Sequence, residues 1–484
     1  MIEYALLAIA ASALILCLVN WRIGFLVCLF AGCLQDPIRK IIPGEPIYLT
    51  SAIIVYLAAT CLGAYARGAR FSLRPIHSWN SSIRAPLDFF LALVVIQSLV
   101  TLIRFGSPVL AGIGFLAYVT PVPRILLGYH FARREHNIYT FIKVYLVLNV
   151  VMSAGVYLSY MGFNWSLLRS VGEAMVVYSL TTGEEMILRS GFFRTPEVAA
   201  WHAATSICLL IIMFMVQRKH RLLKLASGGL ILFFWGALLF TGRRKFIMEI
   251  FVFLFVYGGL LLLVRGKASK TARTSFLLMI VLGVAVTGYV FLVPQDLKTG
   301  VHPYFERGVT LKADATDRAS SMTVESFGWV LERNGPWGAG AGTGSQGAQY
   351  FGGGSGIVGE AAEGGLAKVL AELGLPGVAL LLWLGFSLLR YFWAIIKEVK
   401  QTDFTKASLI FGLVAMLVGN AFVFATAHQI FGDPFVLSLL GFFIGFVLAV
   451  PKMLPARAPE SVSKRVPLRP RVDWPAGRDV RGEA

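Results

Sequence analysis

TGRRKFIMEIFVFLFVYGGLLLLVRGKASKTAR, residues 241–273, decides the fold. Residues 246–264 are almost wholly apolar and stand between two basic runs, at 243–245 and 265–273. An apolar run of roughly 18 residues or more is long enough to span a bilayer as a helix. Similar runs recur along the whole chain, near 48–65, 86–103, 111–131, 138–158, 197–217, 224–241, 275–293, 366–395, 405–424 and 434–450. Residues 4–34 read as two short apolar helices in a hairpin, interrupted at Asn20, Trp21 and Arg22. The pattern predicts an all-α polytopic membrane protein with about 12–13 transmembrane helices.

Composition agrees. Of the 484 residues, 57% are hydrophobic and 14% charged, against about 25% charged for a soluble domain. Mean hydropathy is +0.71. The formal net charge of +18 does not point to nucleic acid, because the Lys and Arg residues gather in short loops and in the tail after Lys452. That is the distribution of positive-inside topology. The five cysteines, Cys17, Cys28, Cys33, Cys61 and Cys208, lie in or beside apolar runs, which argues against a disulfide framework or a zinc site. The N-terminus lacks a basic n-region and carries Glu3, so it is expected to stay as a span and not to be cleaved as a signal.

Charge alternation gives an orientation. The loop with Arg67, Arg70, Arg74 and Arg84, the segments RKHRLLK (218–224) and RGKASKTAR (265–273), and Lys397, Lys400 and Lys406 are expected in the cytoplasm. The opposite side then holds the mixed-charge loop 159–196, the TGRRK turn and residues 295–365. Four regions follow: transmembrane helices in 1–294, a periplasmic loop with short helices in 295–365, transmembrane helices in 366–450, and a basic tail in 451–484. The tail is rich in Pro and Arg and is expected to be disordered against anionic headgroups.

The 295–365 segment interrupts the apolar text. Structureless connections longer than about 12–15 residues are uncommon and usually functional. This one carries Lys298, Arg307, Lys312, Arg318 and Arg333 against eight acidic residues, a net of −3. It also carries PWGAGAGTG at 336–344. Gly342, Gly344 and Gly347 fit G-x-G-x-x-G, but no strand precedes them, so dinucleotide binding is rejected. Two readings stay open for the glycines: a flexible turn, or backbone amides approaching a substrate. LAKVLAELGLPG, 366–377, predicts a short helix broken at Gly374, Pro376 and Gly377. Glu363 precedes it, either as a helix cap or as a general base or orienting group. Arg243, Arg244 and Lys245 run against the positive-inside bias, which suggests either snorkelling at a helix end or an anion site. Arginine suits the latter because its guanidinium stays charged and binds phosphate through paired donors. Arg318 and Arg194 are further cationic candidates.

The basic pair after an apolar span, the long loop with an Arg and the Pro-Trp-Gly-Ala-Gly-Ala-Gly run, and the helix ending in AELGLPG together resemble the bacterial O-antigen ligase and O-antigen polymerase superfamily. That superfamily includes polymerases of exopolysaccharides. The resemblance rests on four patches between about 191 and 377. Arg244 falls where the family has the arginine of its Ser-Arg helix end, and Arg318 on the arginine that precedes the Trp and glycine turn. FFRTPEVAAWH, around Arg194 and Pro196, is similar to the family's Phe-x-x-Pro patch. The family's His-Asn pair stands nine residues before the Glu of AELG, where this chain has Glu363 and Gly364. That is a departure, and it implies a different acceptor or a different base.

The resemblance implies a GT-C-like, metal-independent glycosyltransferase without a cofactor, in the bacterial inner membrane, with its active site facing the periplasm. Its donor would be a glycan on undecaprenyl diphosphate and its acceptor another glycan or a lipid. Polysaccharide export or chain-length proteins would be candidate partners. In that reading Arg244, Arg318, Arg243 and Arg194 bind the diphosphate and Glu363 is catalytic. The competing classes are a transporter or flippase for lipid-linked glycans, with about the same number of helices, and a non-enzymatic assembly partner. Against the transporter, no internal repeat is seen in the sequence.

Overall fold

The structure is a computed structural model, and it describes residues 2–69, 71, 81–171, 176–178, 185–216, 221–264, 304, 325–345, 348 and 364–454. Fourteen helices are described: α1 (Ile2–Val19), α2 (Trp21–Ile41), α3 (Ala52–Ala66), α4 (Arg84–Phe105), α5 (Pro108–Val119), α6 (Pro121–Phe131), α7 (Glu135–Tyr160), α8 (Pro196–Val216), α9 (Arg221–Phe240), α10 (Lys245–Leu262), α11 (Ser326–Asn334), α12 (Gly365–Val399), α13 (Phe404–Thr426) and α14 (Pro434–Leu448). The described sheet is one antiparallel ribbon, β1 (Val176–Tyr178) and β2 (Glu185–Ile187). It lies within the stretch expected to be a mixed-charge loop.

Among the described residues, ten helical segments are long and apolar enough to cross a membrane. Two shorter apolar helices, Ala8–Val19 and Pro434–Leu448, accompany them. The chain is an all-α polytopic membrane protein. The span expected at 275–293, the loop region 305–324 with Arg318, the segment 349–363 with Glu363, and the tail beyond 454 lie outside the described residues.

One expected element takes a different local form. The span expected over 111–131 is built from α5 and α6, which meet at Thr120 and Pro121. Proline has no N–H to continue the α5 ladder, so it starts a new helix. The break expected at Gly374 is present: Gly374 lies at φ +71°, a non-helical kink between the short helical piece from Gly365 and the long span that ends at Val399.

The core is organised around α8. Eighteen of its residues are buried, from Pro196 to Met215, and the same helix contributes Trp201 and His202 to the interior. Lipid cannot drive one apolar helix onto another, so close approach depends on small residues and polar contacts. The α6–α14 pair shows this: Gly128 lies against the Phe442 backbone, and Gly445 against the backbone of Ile125 and Tyr129. Phe25, Phe131, Phe141, Phe442 and Phe446 stack around that seam, with ring centroids 4.2–6.3 Å apart.

The 26-residue helix α7 marks the two ends of the bundle, about 39 Å apart at 1.5 Å per residue. At its start, Glu135 pairs with Lys406 at 2.8 Å, and Lys406 also donates to the Met453 carbonyl. At its finish, Tyr160 stacks on Phe240 at 4.0 Å, and Tyr304 packs edge-on against both. The first end carries Lys406, one of the basic residues expected in the cytoplasm. The second carries the TGRRK turn and the first described residue of the long polar segment.

Candidate functional site

The Tyr160 end gathers charge that the sequence scatters from Asp36 to Asp433. Arg194 is the centre. One guanidinium nitrogen lies 2.6 Å from Asp433 and the other 3.6 Å from Asp36. The Arg194 backbone N–H also donates to Asp36. Burial opposes charge on Arg194, but the two carboxylates outweigh it and its pKa is raised. Asp433 also begins α14, where its Oδ1 accepts the N–H groups of Phe435 and Val436. An Asp at that position satisfies amides that have no partner inside the helix.

Lys40, at the end of α2, donates to three carbonyls, those of Leu167, Gly191 and Phe193, at 2.6–3.1 Å. Its three donors are thereby filled. Together Lys40 and Arg194 fix the turn that leads into α8 onto α2 and α14. Arg194, read as a diphosphate ligand, is thus engaged with two carboxylates.

Arg243 and Arg244 lie in the turn between α9 and α10. Gly242, at φ +66°, closes α9 with its N–H on the Leu239 carbonyl. A left-handed residue directly after a helix is a common helix stop, and glycine takes it without a Cβ clash. Arg244 is the residue before the first turn of α10. Both arginines are half-buried. The next residue, Lys245, pairs with Glu197 at the start of α8. The basic triplet is therefore held to α8 at one corner, and Arg243 and Arg244 stand at the start of α10, where the helix dipole favours an anion.

One turn deeper, α8, α13 and α10 are joined by polar side chains. The Trp201 indole N–H donates to Asn420 Oδ1, and Asn420 Nδ2 donates to Glu249 Oε1, each at 2.7 Å. The next turn of α13 brings Phe424 against Gly365: a Cβ added there would lie 2.3 Å from the Phe424 carbonyl oxygen. Gly365 is the first residue of α12 and Gly364 its cap, in extended conformation and with no side-chain bond. The cap position thus belongs to Gly364, and Glu363 stands one residue before it. Through α13, the arginine turn and the start of α12 come to the same end of the bundle.

The glycine run forms a lock. Ala339 and Gly340 donate backbone N–H groups to the carbonyls of Ala371 and Glu372, and Leu375 donates to Pro336. Gln97 and Thr101 on α4 donate side-chain bonds to the Trp337 and Ala341 carbonyls, both at 2.8 Å. Glu372, buried, accepts the Gly344 N–H at 3.0 Å and the Tyr118 hydroxyl. So PWGAGAG and AELGLPG, well apart in the sequence, are complementary halves of one joint. The turn is tied down by these bonds, and the amides of Ala339, Gly340, Ala341 and Gly344 are used within the fold, so those four are not the amides that would approach a substrate.

At Gly374 (φ +71°), a Cβ would lie 2.4 Å from the Trp337 carbonyl carbon. Gly374→Ala is expected to lower stability by about 2–3 kcal/mol through strain and overpacking. Gly385→Ala in the same helix, where no atom lies within 4 Å, should be neutral or slightly stabilising. Thermal unfolding of both variants by intrinsic fluorescence checks this. Equal melting temperatures would refute the lock.

Of the five candidate site residues, the structure brings Arg194, Arg243 and Arg244 to one end, while Arg318 and Glu363 lie outside the described residues. Sequence reasoning missed Asp36, Lys40, Glu249, Glu372, Asn420 and Asp433. The available signal was charge or amide inside an apolar span, which is rare without a reason. No protein-family profile matches the chain, and no curated protein matches it in sequence.

Proposed function

We propose that the chain is a membrane glycosyltransferase that transfers or polymerises a glycan from an undecaprenyl-diphosphate-linked donor at the periplasmic face. The observation that carries this reading is the convergence, through α10, α13 and α12, of the Arg243-Arg244 turn with the helix start that follows Glu363. The chemistry would divide between them. The acceptor hydroxyl oxygen attacks the anomeric carbon of the donor sugar. The bond from that carbon to the diphosphate oxygen breaks, and the diphosphate leaves with the electron pair. Fixed guanidinium groups at a helix N-terminus stabilise the charge that develops there. The hydroxyl proton passes to a carboxylate within hydrogen-bond reach, which we assign to Glu363. Arg318 completes the diphosphate site, and Arg194 fixes the turn beside it.

The test is reconstitution of the purified protein in liposomes with a synthetic lipid-diphosphate-linked glycan and a glycan acceptor. Product that grows with time supports transferase activity. Movement of a fluorescent donor lipid across the bilayer without product would establish a transporter instead. In the same assay, Glu363→Gln should lose most activity while Glu360→Gln loses little. Wild-type activity in Glu363→Gln would remove the residue from the chemistry.

A further inference from the structure

The seam one turn beneath the charged end contains a carboxyl group that glycosyl transfer does not use. Glu249 is fully buried in α10. Its Oε1 accepts one hydrogen bond, from Asn420 Nδ2 at 2.7 Å. Its Oε2, also buried, meets no donor among the described residues. No described Lys or Arg pairs with it. Lys245, one turn up the same helix, is paired with Glu197. On the elements packed against it, α13 presents Asn420, whose own Oδ1 is filled by Trp201. From α8 and α7 the titratable groups within electrostatic range are Cys208 and Tyr145, neither of them basic. Gly419 leaves no space: a Cβ there would lie 3.0 Å from the Glu249 carbonyl oxygen and 3.3 Å from its Cγ.

An ionised carboxylate needs donors on both oxygens and a nearby cation to remain charged in such a place. Glu249 has one neutral donor on one oxygen. We propose that Glu249 is an intramembrane proton-binding site, a carboxylic acid that carries its proton at neutral pH inside the Trp201–Asn420–Glu249 seam. The bound proton keeps the α8–α10–α13 interface free of uncompensated charge. Its release would place a negative charge five residues below Arg244, in the helix that the arginine turn begins. The seam is thus where a proton can act on the charged end of the bundle. The proposal stands apart from the glycosyl-transfer reading, since a proton site serves a transporter equally.

Infrared difference spectroscopy on the full-length protein in lipid nanodiscs tests it. The wild type should show a carboxylic-acid C=O band above the amide region at neutral pH, shifted in D₂O and lost in Glu249→Gln. The Gln variant should keep the wild-type melting temperature, because an amide reproduces the shape of the neutral acid and still accepts from Asn420. Carboxylate bands at neutral pH in place of the acid band, lost in the Gln variant, would overturn the proposal. So would a Gln variant that fails to fold while Glu249→Asp, which can still carry charge, folds normally.

Discussion

Arg244→Ala in the reconstituted transferase assay is expected to slow glycan transfer by about 10²–10³-fold, the range for removing one preorganised group that stabilises developing charge. The reason is position. Arg244 precedes the first turn of α10, so in the proposed site its guanidinium and the helix N-terminus would act on the same diphosphate. The loss should fall on kcat as well as on kcat/KM, because the leaving diphosphate gains charge only as the glycosidic bond breaks. Arg244→Lys should recover only part of the rate, since an ammonium is a point charge and cannot offer paired donors. Lys variants of Arg243 and Arg318 should follow the same order. Full activity in Arg244→Lys, at wild-type expression and melting temperature, would refute a bidentate role.

Asp433→Ala is expected to be the most destabilising single change at the charged end. It removes the carboxylate 2.6 Å from Arg194 and leaves that guanidinium with Asp36 alone, at 3.6 Å. Breaking a buried ion pair from one side costs about 3–5 kcal/mol, mostly the penalty of the charge left behind. The same change strips the α14 start of its acceptor for Phe435 and Val436, a further loss of about 1 kcal/mol. Asp433→Asn separates the two contributions: it keeps an oxygen for the helix amides and loses the charge. Its melting temperature should lie between those of Asp433→Ala and the wild type. If Asn and Ala variants melt together, the cap contributes nothing; if both melt as the wild type, the ion cluster does not hold α14 to the α8 turn.

The sequence and the folded chain disagree most at the glycines. PWGAGAGTG reads as a loop because glycine lacks a side chain to pack, and nothing local says what will approach it. The approach comes from Gly374, Gln97 and Glu372, residues 28–240 positions away. The break at Gly374 is legible, since Gly-Leu-Pro-Gly is a local signal, but its use as a socket is not. Arg194 shows the same limit in charge. Its neighbours Phe193 and Pro196 mark a turn into a span, yet its partners Asp36 and Asp433 lie on other helices. A free cation and a paired one are written with the same letter. For Glu363 and Arg318, the candidacy rests on the sequence alone.

What the sequence determined by itself is the position and order of most of the described spans, and which of their ends lie together. Each span satisfies its own backbone hydrogen bonds and buries its own apolar surface in lipid, so the signal is local and can be read segment by segment. What only the tertiary structure decided is which polar groups inside those spans meet. Lys40 finds three carbonyls, Arg194 two carboxylates, Asn420 a tryptophan and a glutamic acid, across separations of 127–239 residues where the chain returns to the same end of the bundle. In a medium with no water to solvate a stray polar atom, those meetings are set by which helices pack side by side, and packing partners are not written in the hydropathy of either helix.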